Sequence, residues 1–361
     1  MLFRSVTLNR LTPFVSTFTA PIVTSDQVLT FSATVTDDEG AISAPDTIDI
    51  TVQPVPAQVT LRGQVLYERV PLDFRGLRYP ELGFVELSAE VLIEAVDATT
   101  QAVIASGRFA GNYELSVPGA ANIMLRATAE TARQAPLPLP HWQIAVRDLD
   151  VNGAPLGPVH SYTSPAFSSR GGVIRHLQIP SGWTSTGQLV GPRAAAPFAI
   201  LDSVQAGLVA VLNVLPGADF PPLTIDWGLN NAGGLTFYQR TAAGRRIVLA
   251  AEVDVDTDEY DPPVILHEFG HYLDDSFARS DSIGGSHSIG ERVDMRVAFG
   301  EGLATAFSSM ARNNPEYRDS FGVGQGAAGF FSIENDSAIN EGWYSESSAH
   351  EIVWEIGRAH V

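Results

Sequence analysis

Asp261-Pro262-Pro263-Val264-Ile265-Leu266-His267-Glu268-Phe269-Gly270-His271-Tyr272-Leu273 is the stretch whose reading decides the fold. Asp261 stands where a helix N-cap belongs, and Pro262 falls in the first helical turn, where its missing N–H costs nothing. Ile265, Leu266, Phe269 and Leu273 recur at helical spacing and supply a face to bury. His267 and His271 are four apart, so on a helix both imidazoles leave from one side, one turn apart. That spacing lets two ring nitrogens share one zinc at about 2 Å each. Glu268, offset by one residue, leans over the metal instead of binding it, placed to take a proton from a metal-bound water. The pattern implies a zinc-dependent hydrolase, with peptide bonds as its leading substrate.

A catalytic zinc takes three protein ligands, so one more is needed. Downstream lie Asp274, Asp275, His287, Glu291, Asp294 and Glu301. A compact metzincin pattern would require glycine at position 274 and histidine at 277, and Asp274 and Phe277 exclude it. Asp274 shares the face of both histidines and is expected to orient an imidazole as an acceptor. Glu301 is the strongest third ligand. Ala298 to Phe307 reads as a helix in which Gly300, Gly302 and Ala304 allow close approach to the first helix. His287, in the Gly- and Ser-rich loop from Ser282 to Gly290, is the rival.

Bulk properties bound the partners. With 361 residues the chain has room for two to four domains. A net charge of -19, with arginine as the only strong base, repels nucleic acid and anionic membrane surfaces, so neither is expected as a partner. No cysteine is present, which excludes disulfides and thiolate metal sites. No apolar run reaches the roughly 20 residues that span a bilayer. Met1 to Arg4 opens no signal peptide, so a start further upstream is expected. At the other end, Ile356 to Val361 matches one reading frame of a widely used sequencing adapter and is expected to be a non-native tail, which deprives His360 of a role.

Along the chain, residues 1–56 read as strands, with Val28 to Thr36, a turn at Asp37 to Gly40, and a return from Thr47 to Val52. Residues 57–130 form a second β unit, through Val59 to Val65, Val91 to Asp97 and Gly111 to Leu115. Residues 131–193 read as a β-rich connector containing a strand from His141 to Val146. Asp148, Asp150, Asn152 and Gly153 imitate half of a calcium loop, but position twelve would be Val159, so an ordinary turn is expected. Residues 194–355 change character: a buried helix from Pro197 to Leu212, strands at Leu223 to Trp227, Thr236 to Tyr238 and Arg246 to Glu252, then the histidine helix. Asp254, Asp256, Asp258 and Asp261 make an acidic approach to it, a candidate for a structural calcium or a solvated cap region.

These stretches carry resemblances. Residues 1–56 resemble the last strands of a PKD-like or cadherin-like Ig-type module of bacterial surface proteins. Residues 57–130, by the opening strand and the later Gly111-Asn112-Tyr113, look like a carboxypeptidase-regulatory-like sandwich. The order of helix, strands and metal helix is similar to the first half of zincin peptidases. That likeness implies an edge strand for an extended substrate, assigned to Arg246 to Glu252, with a plain core strand as the other reading of the segment. His-Glu-x-x-His followed by a helix-borne glutamate is similar to gluzincins. The stretches Gly191 to Asp202 and Asp294 to Gly302 look like a group of large modular bacterial secreted proteins. The 29 residues from 272 to 300 exceed the spacing of many gluzincins, and the Gly-rich loop is expected to absorb the excess.

The resemblance implies a multidomain chain: all-β sandwich modules followed by an α+β zincin-like metallopeptidase domain, truncated at its C-terminus, in a secreted or cell-surface protein. It implies zinc on His267, His271 and Glu301, Glu268 as the proton carrier, and a protein or peptide substrate. A donor to the tetrahedral oxyanion is also required, and Tyr344, with His350 behind it, is the residue on offer ahead of a last helix from Ser347 to Ile356. A surface adhesion or scaffold protein holding metal structurally is the alternative, and a non-peptide amide is a further substrate class.

Overall fold

A computed structural model describes residues 6–358 apart from 13–14, 135, 137–138, 150–156, 172–173, 229–230, 232–234 and 336–339. Asp150, Asn152 and Gly153 of the calcium-like turn lie outside the described residues, as does His360.

The described residues before position 57 contain two antiparallel strand pairs, β1 (Leu8–Thr12) with β2 (Val15–Phe18) and β3 (Gln27–Ala33) with β4 (Asp46–Val52). The carboxylate of Asp37 closes the expected turn by accepting from the amides of Glu39 and Ala41, at 3.1 and 2.8 Å. Most of these strand residues are exposed; among the described residues of this unit, Val23 in the β2–β3 connection and Val52 on β4 are the buried apolar ones.

The second unit is a two-layer sandwich. One sheet joins β5 (Gln58–Arg69), β8 (Gly83–Glu86), β11 (Asn112–Pro118) and β17 (Leu177–Ile179), while a short hairpin of β6 (Leu72–Asp73) and β7 (Gly76–Leu77) stands apart from it. The other joins β9 (Val91–Asp97), β10 (Val103–Phe109), β12 (Asn122–Thr128), β15 (Ser161–Thr163) and β16 (Phe167–Ser168). Tyr113, Leu115 and Val117 face inward in alternation with exposed neighbours, as a half-buried strand requires.

Among the described residues, the stretch 131–193 has no sheet of its own. Its strands β15, β16 and β17 complete the sandwich, while β13 (Glu130–Arg133) and β14 (Trp142–Arg147) enter a third sheet. That sheet runs β13-β14-β18-β20-β19, with β18 (Leu223–Asp226) and β20 (Gly244–Val248) parallel to β14, and β19 (Phe237–Thr241) antiparallel at the far edge. The expected edge, Arg246 to Glu252, is therefore corrected: Arg246 to Val248 lie inside the sheet and β19 is the edge. Two adjacent strand-like runs joined by a tight turn leave the choice of outer strand to the parallel pairing of β20 on β18, a long-range fact.

Among the described residues four α-helices complete the fold: α1 (Ala196–Val214), α2 (Pro262–Phe277), α3 (Met295–Arg312) and α4 (Glu346–Arg358). A last sheet, β21 (Ala251–Glu252), β22 (Asp256–Thr257), β23 (Glu316–Phe321) and β24 (Ala327–Ser332), lies beside them. Among the described residues α1 alone is long and apolar enough to cross a membrane; Phe198, Ile200, Leu201, Val204 and Leu208 on it are buried in the protein core. One apolar core runs from Leu61 in the sandwich to Tyr272 on α2. Asp202 on α1 sits at the seam, accepting from Tyr67 Oη at 2.9 Å and from the Ser88 amide at 2.7 Å.

Candidate metal centre

Ile265, Leu266, Phe269 and Tyr272 are fully buried and hold α2 in the core, while Leu273 is partly buried. This leaves the side of His267 and His271 to face α3. Asp261 occupies the N-cap position, but its carboxylate is turned away from the helix, accepting from the amide and hydroxyl of Ser320 at 2.5 and 3.0 Å.

Close packing brings α3 alongside. A Cβ on Gly270 would come within 2.7 Å of Ala304 Cα, so the contact at this crossing is glycine against alanine backbone. Gly302, expected on the same contact, instead meets α4 at Ala349 and His350, and Gly300 faces only Ser282.

Three atoms converge as a result. His267 Nε2 lies 3.2 Å from Glu301 Oε2, His271 Nε2 3.0 Å from the same oxygen, and the two Nε2 atoms 3.1 Å from each other. A tetrahedral ion about 2 Å from each ligand sets their mutual separations at roughly 3.3 Å, so the donor set and spacing fit zinc. Thr305, one turn beyond Glu301, places its hydroxyl 3.0 Å from His267 Nδ1. It does what was expected of Asp274, which acts on His271 through its charge.

Burial works against charge on both partners, but mutual contacts win. The Glu301 carboxyl is held far below the usual range because three imidazoles outweigh its burial. His271 is disfavoured as a cation by burial, yet its hydrogen bond to Glu301 and the charges of Glu268 and Glu301 leave it raised. Glu268 is buried, and its charge is felt at both His271 and Tyr317.

A cavity of about 650 Å³ opens beside His267, walled by His287, Tyr317, Asp319, Glu346 and His350. His287 Nε2 reaches 3.3 Å from Glu301 Oε2 and 4.0 Å from Glu346 Oε2. Its bond to Glu301 outweighs its partial burial and pushes it up to about 9. His287 stands outside the trio whose ligand atoms all lie within 4.8 Å of one another. Tyr344 does not belong to this wall; its ring lies 5.2 Å from Trp343 and under the Arg292 guanidinium at 5.0 Å. His350 does, buried and stacked on Phe331 at 5.4 Å, with burial lowering it to about 4. A larger apolar groove of about 1350 Å³ between α1 and the ends of the other helices holds none of the ligand residues.

Tyr317 and Glu346 carry no motif signal. Tyr317 comes from β23, and Glu346 opens α4; both reach the site only through folding. Thr305 was legible in principle, since it lies on the helical face of Glu301.

The acidic approach divides. Asp256 and Asp258 join Asp319 in a second group that could hold a metal ion, with ligand atoms within 4.8 Å of one another. Asp254 instead accepts from the Gly324 amide at 2.7 Å. No family model matches this chain, and no curated protein matches it.

Proposed function

We propose that the chain is a gluzincin-like zinc peptidase of the secreted or cell-surface class, with residues 1–56 as a PKD-like or cadherin-like module and 57–130 as a carboxypeptidase-regulatory-like sandwich. The observation that carries this reading is the meeting of His267, His271 and Glu301 within 3.0–3.2 Å beside a buried Glu268. The order of the third sheet supports the zincin assignment: parallel strands, an antiparallel edge strand, one further parallel strand, and then the metal helix.

Zinc held by this trio would polarise a peptide carbonyl and make a water nucleophilic at neutral pH. Glu268 takes the proton of the attacking water and returns it to the departing amine nitrogen. Thr305 keeps the His267 ring turned toward the ligand point. The free edge of β19, beside α2, offers unpaired backbone groups to an extended peptide.

The test is zinc content and casein hydrolysis of the full chain beside Glu268→Gln. The whole chain is required because β13, β14 and the sandwich share the core of the helices. One zinc per chain, with hydrolysis abolished and metal retained in Glu268→Gln, supports the reading. Zinc without turnover would favour the scaffold alternative, and absence of zinc uptake refutes the peptidase.

A further inference from the structure

Glu346 opens α4 and is only 8% exposed. Among the described residues no hydrogen bond ties its carboxylate, and its one ion-pair contact is His287 Nε2 at 4.0 Å. That ring stands closer to Glu301, at 3.3 Å. Burial is the largest influence on the Glu346 carboxyl and raises it. Taking a carboxylate out of water is costly unless a cation or several donors replace the water, and a helix N-terminus offsets only part of that cost. A carboxylate kept here without its own cation is fit for one that the chain does not supply.

Glu346 lines the cavity of about 650 Å³ beside His267. Asp319 and Glu351 line the same cavity, and among the described residues no arginine does. Tyr317, Phe331 and His350 give it an aromatic wall, their rings stacked at 5.0 and 5.4 Å with planes 14° and 13° apart. Such walls suit an amphipathic cation, whose methylene stem lies on the rings while its head meets the carboxylate. A guanidinium suits them best, being planar, weakly hydrated and forked to match a carboxylate. An α-ammonium is more strongly hydrated and brings no stem to the aromatic wall. His267 belongs both to the cavity and to the ligand trio, so the side chain that enters comes from a residue beside the bond under attack. Asp319 also joins Asp256 and Asp258, and Glu351 is less buried, which leaves Glu346 as the partner.

We propose that this cavity is the specificity pocket of the peptidase and receives an arginine side chain next to the scissile bond, with Glu346 pairing its guanidinium. The inference rests on the peptidase reading and narrows its substrates to peptides that carry arginine. Asp319 and Glu351 add negative charge to the pocket, and the stacked rings carry the arginine stem.

The experiment gives the full zinc-loaded chain two peptides, acetylated and amidated at their ends, that differ only in arginine or citrulline at the centre. Citrulline keeps the shape of arginine and removes its charge. The arginine peptide should be cut at a bond adjoining the arginine, located by mass spectrometry, with kcat/KM at least about 10-fold above that of the citrulline peptide. In Glu346→Gln that ratio should fall toward one while zinc is retained, and Glu346→Asp, which keeps the charge, should keep part of the preference. Equal rates for the two peptides in the wild type would overturn the proposal without recourse to either variant. A preference that survives intact in Glu346→Gln would overturn it too, as would cleavage only of peptides with a free amino end, which would give Glu346 an α-ammonium instead. Should the wild type hold zinc and cleave neither peptide, the peptidase reading fails by itself. Calorimetry with the same peptides then decides the pocket: a Kd at least about 10-fold tighter for arginine, lost in Glu346→Gln, sustains it, and equal Kd values overturn it.

Discussion

Gly270 on α2 lies against Ala304 on α3 so closely that a methyl group at 270 would reach within 2.7 Å of the Ala304 Cα. The neighbour is backbone, so it cannot swing aside as a side-chain tip would. This contact sets the distance at which Glu301 meets both histidines. Gly270→Ala gains up to about 1 kcal/mol of helix propensity. Forcing the helices apart costs about 1–3 kcal/mol. A net loss of stability in urea denaturation is expected, with a weaker zinc affinity by chelator competition; an unchanged affinity would show that the crossing does not set the ligand geometry.

Glu268→Gln keeps the shape of the buried side chain and removes its basicity. On the proposed peptidase reading, hydrolysis should fall by about 10²–10⁴-fold, the span typical of a general base, while zinc content stays at one per chain. Steady-state rates beside elemental analysis check both halves.

Arg193 and Glu259 form a buried pair at 3.0 Å, with side chains 3% and 0% exposed. The guanidinium also donates to Thr257 Oγ1 at 2.8 Å and to the Ala251 carbonyl at 2.6 Å, tying the entrance of α1 to the strands before α2. Arg193→Met strands a buried carboxylate, and a loss of about 3–5 kcal/mol in urea melts is expected. A change below 1 kcal/mol would mean that Glu259 finds another partner or a proton.

Burial, together with like charges, raises Asp256 to about 7, and burial raises Asp319 to about 6. A carboxyl whose folded value lies above its unfolded one contributes stability that is complete below about 4 and is lost as pH rises through the folded value. In chelator-treated protein, stability should therefore decline between about pH 4 and pH 8. Asp256→Asn should flatten that decline, stabilising at pH 8 and making little difference at pH 4. Parallel pH profiles for the two proteins would refute this origin.

Legibility in the sequence followed the range of the interaction. His267, Glu268 and His271 sit on one helix, so a local period of 3.6 residues places them. Glu301 was within reach because small residues around an acid mark a helix built for close approach, although Gly302 serves α4 and it is Gly270 that meets Ala304. Residue type and nearness to a final helix are all that point to Tyr344 in the sequence, and the fold turns its ring toward Arg292 and Trp343.

The sequence by itself determined the helix that carries His267 and His271, the strand runs and the exclusion of thiolate chemistry, because composition and local periodicity act within a few residues. Only the tertiary structure decided that β19 is the edge strand, that residues 131–193 divide among three sheets, and that His287, Tyr317 and Glu346 reach one cavity. Those facts depend on which strands pair and which helices cross. Pairing and crossing are chosen by burying one shared core, a sum over distant residues that no single stretch of the chain records.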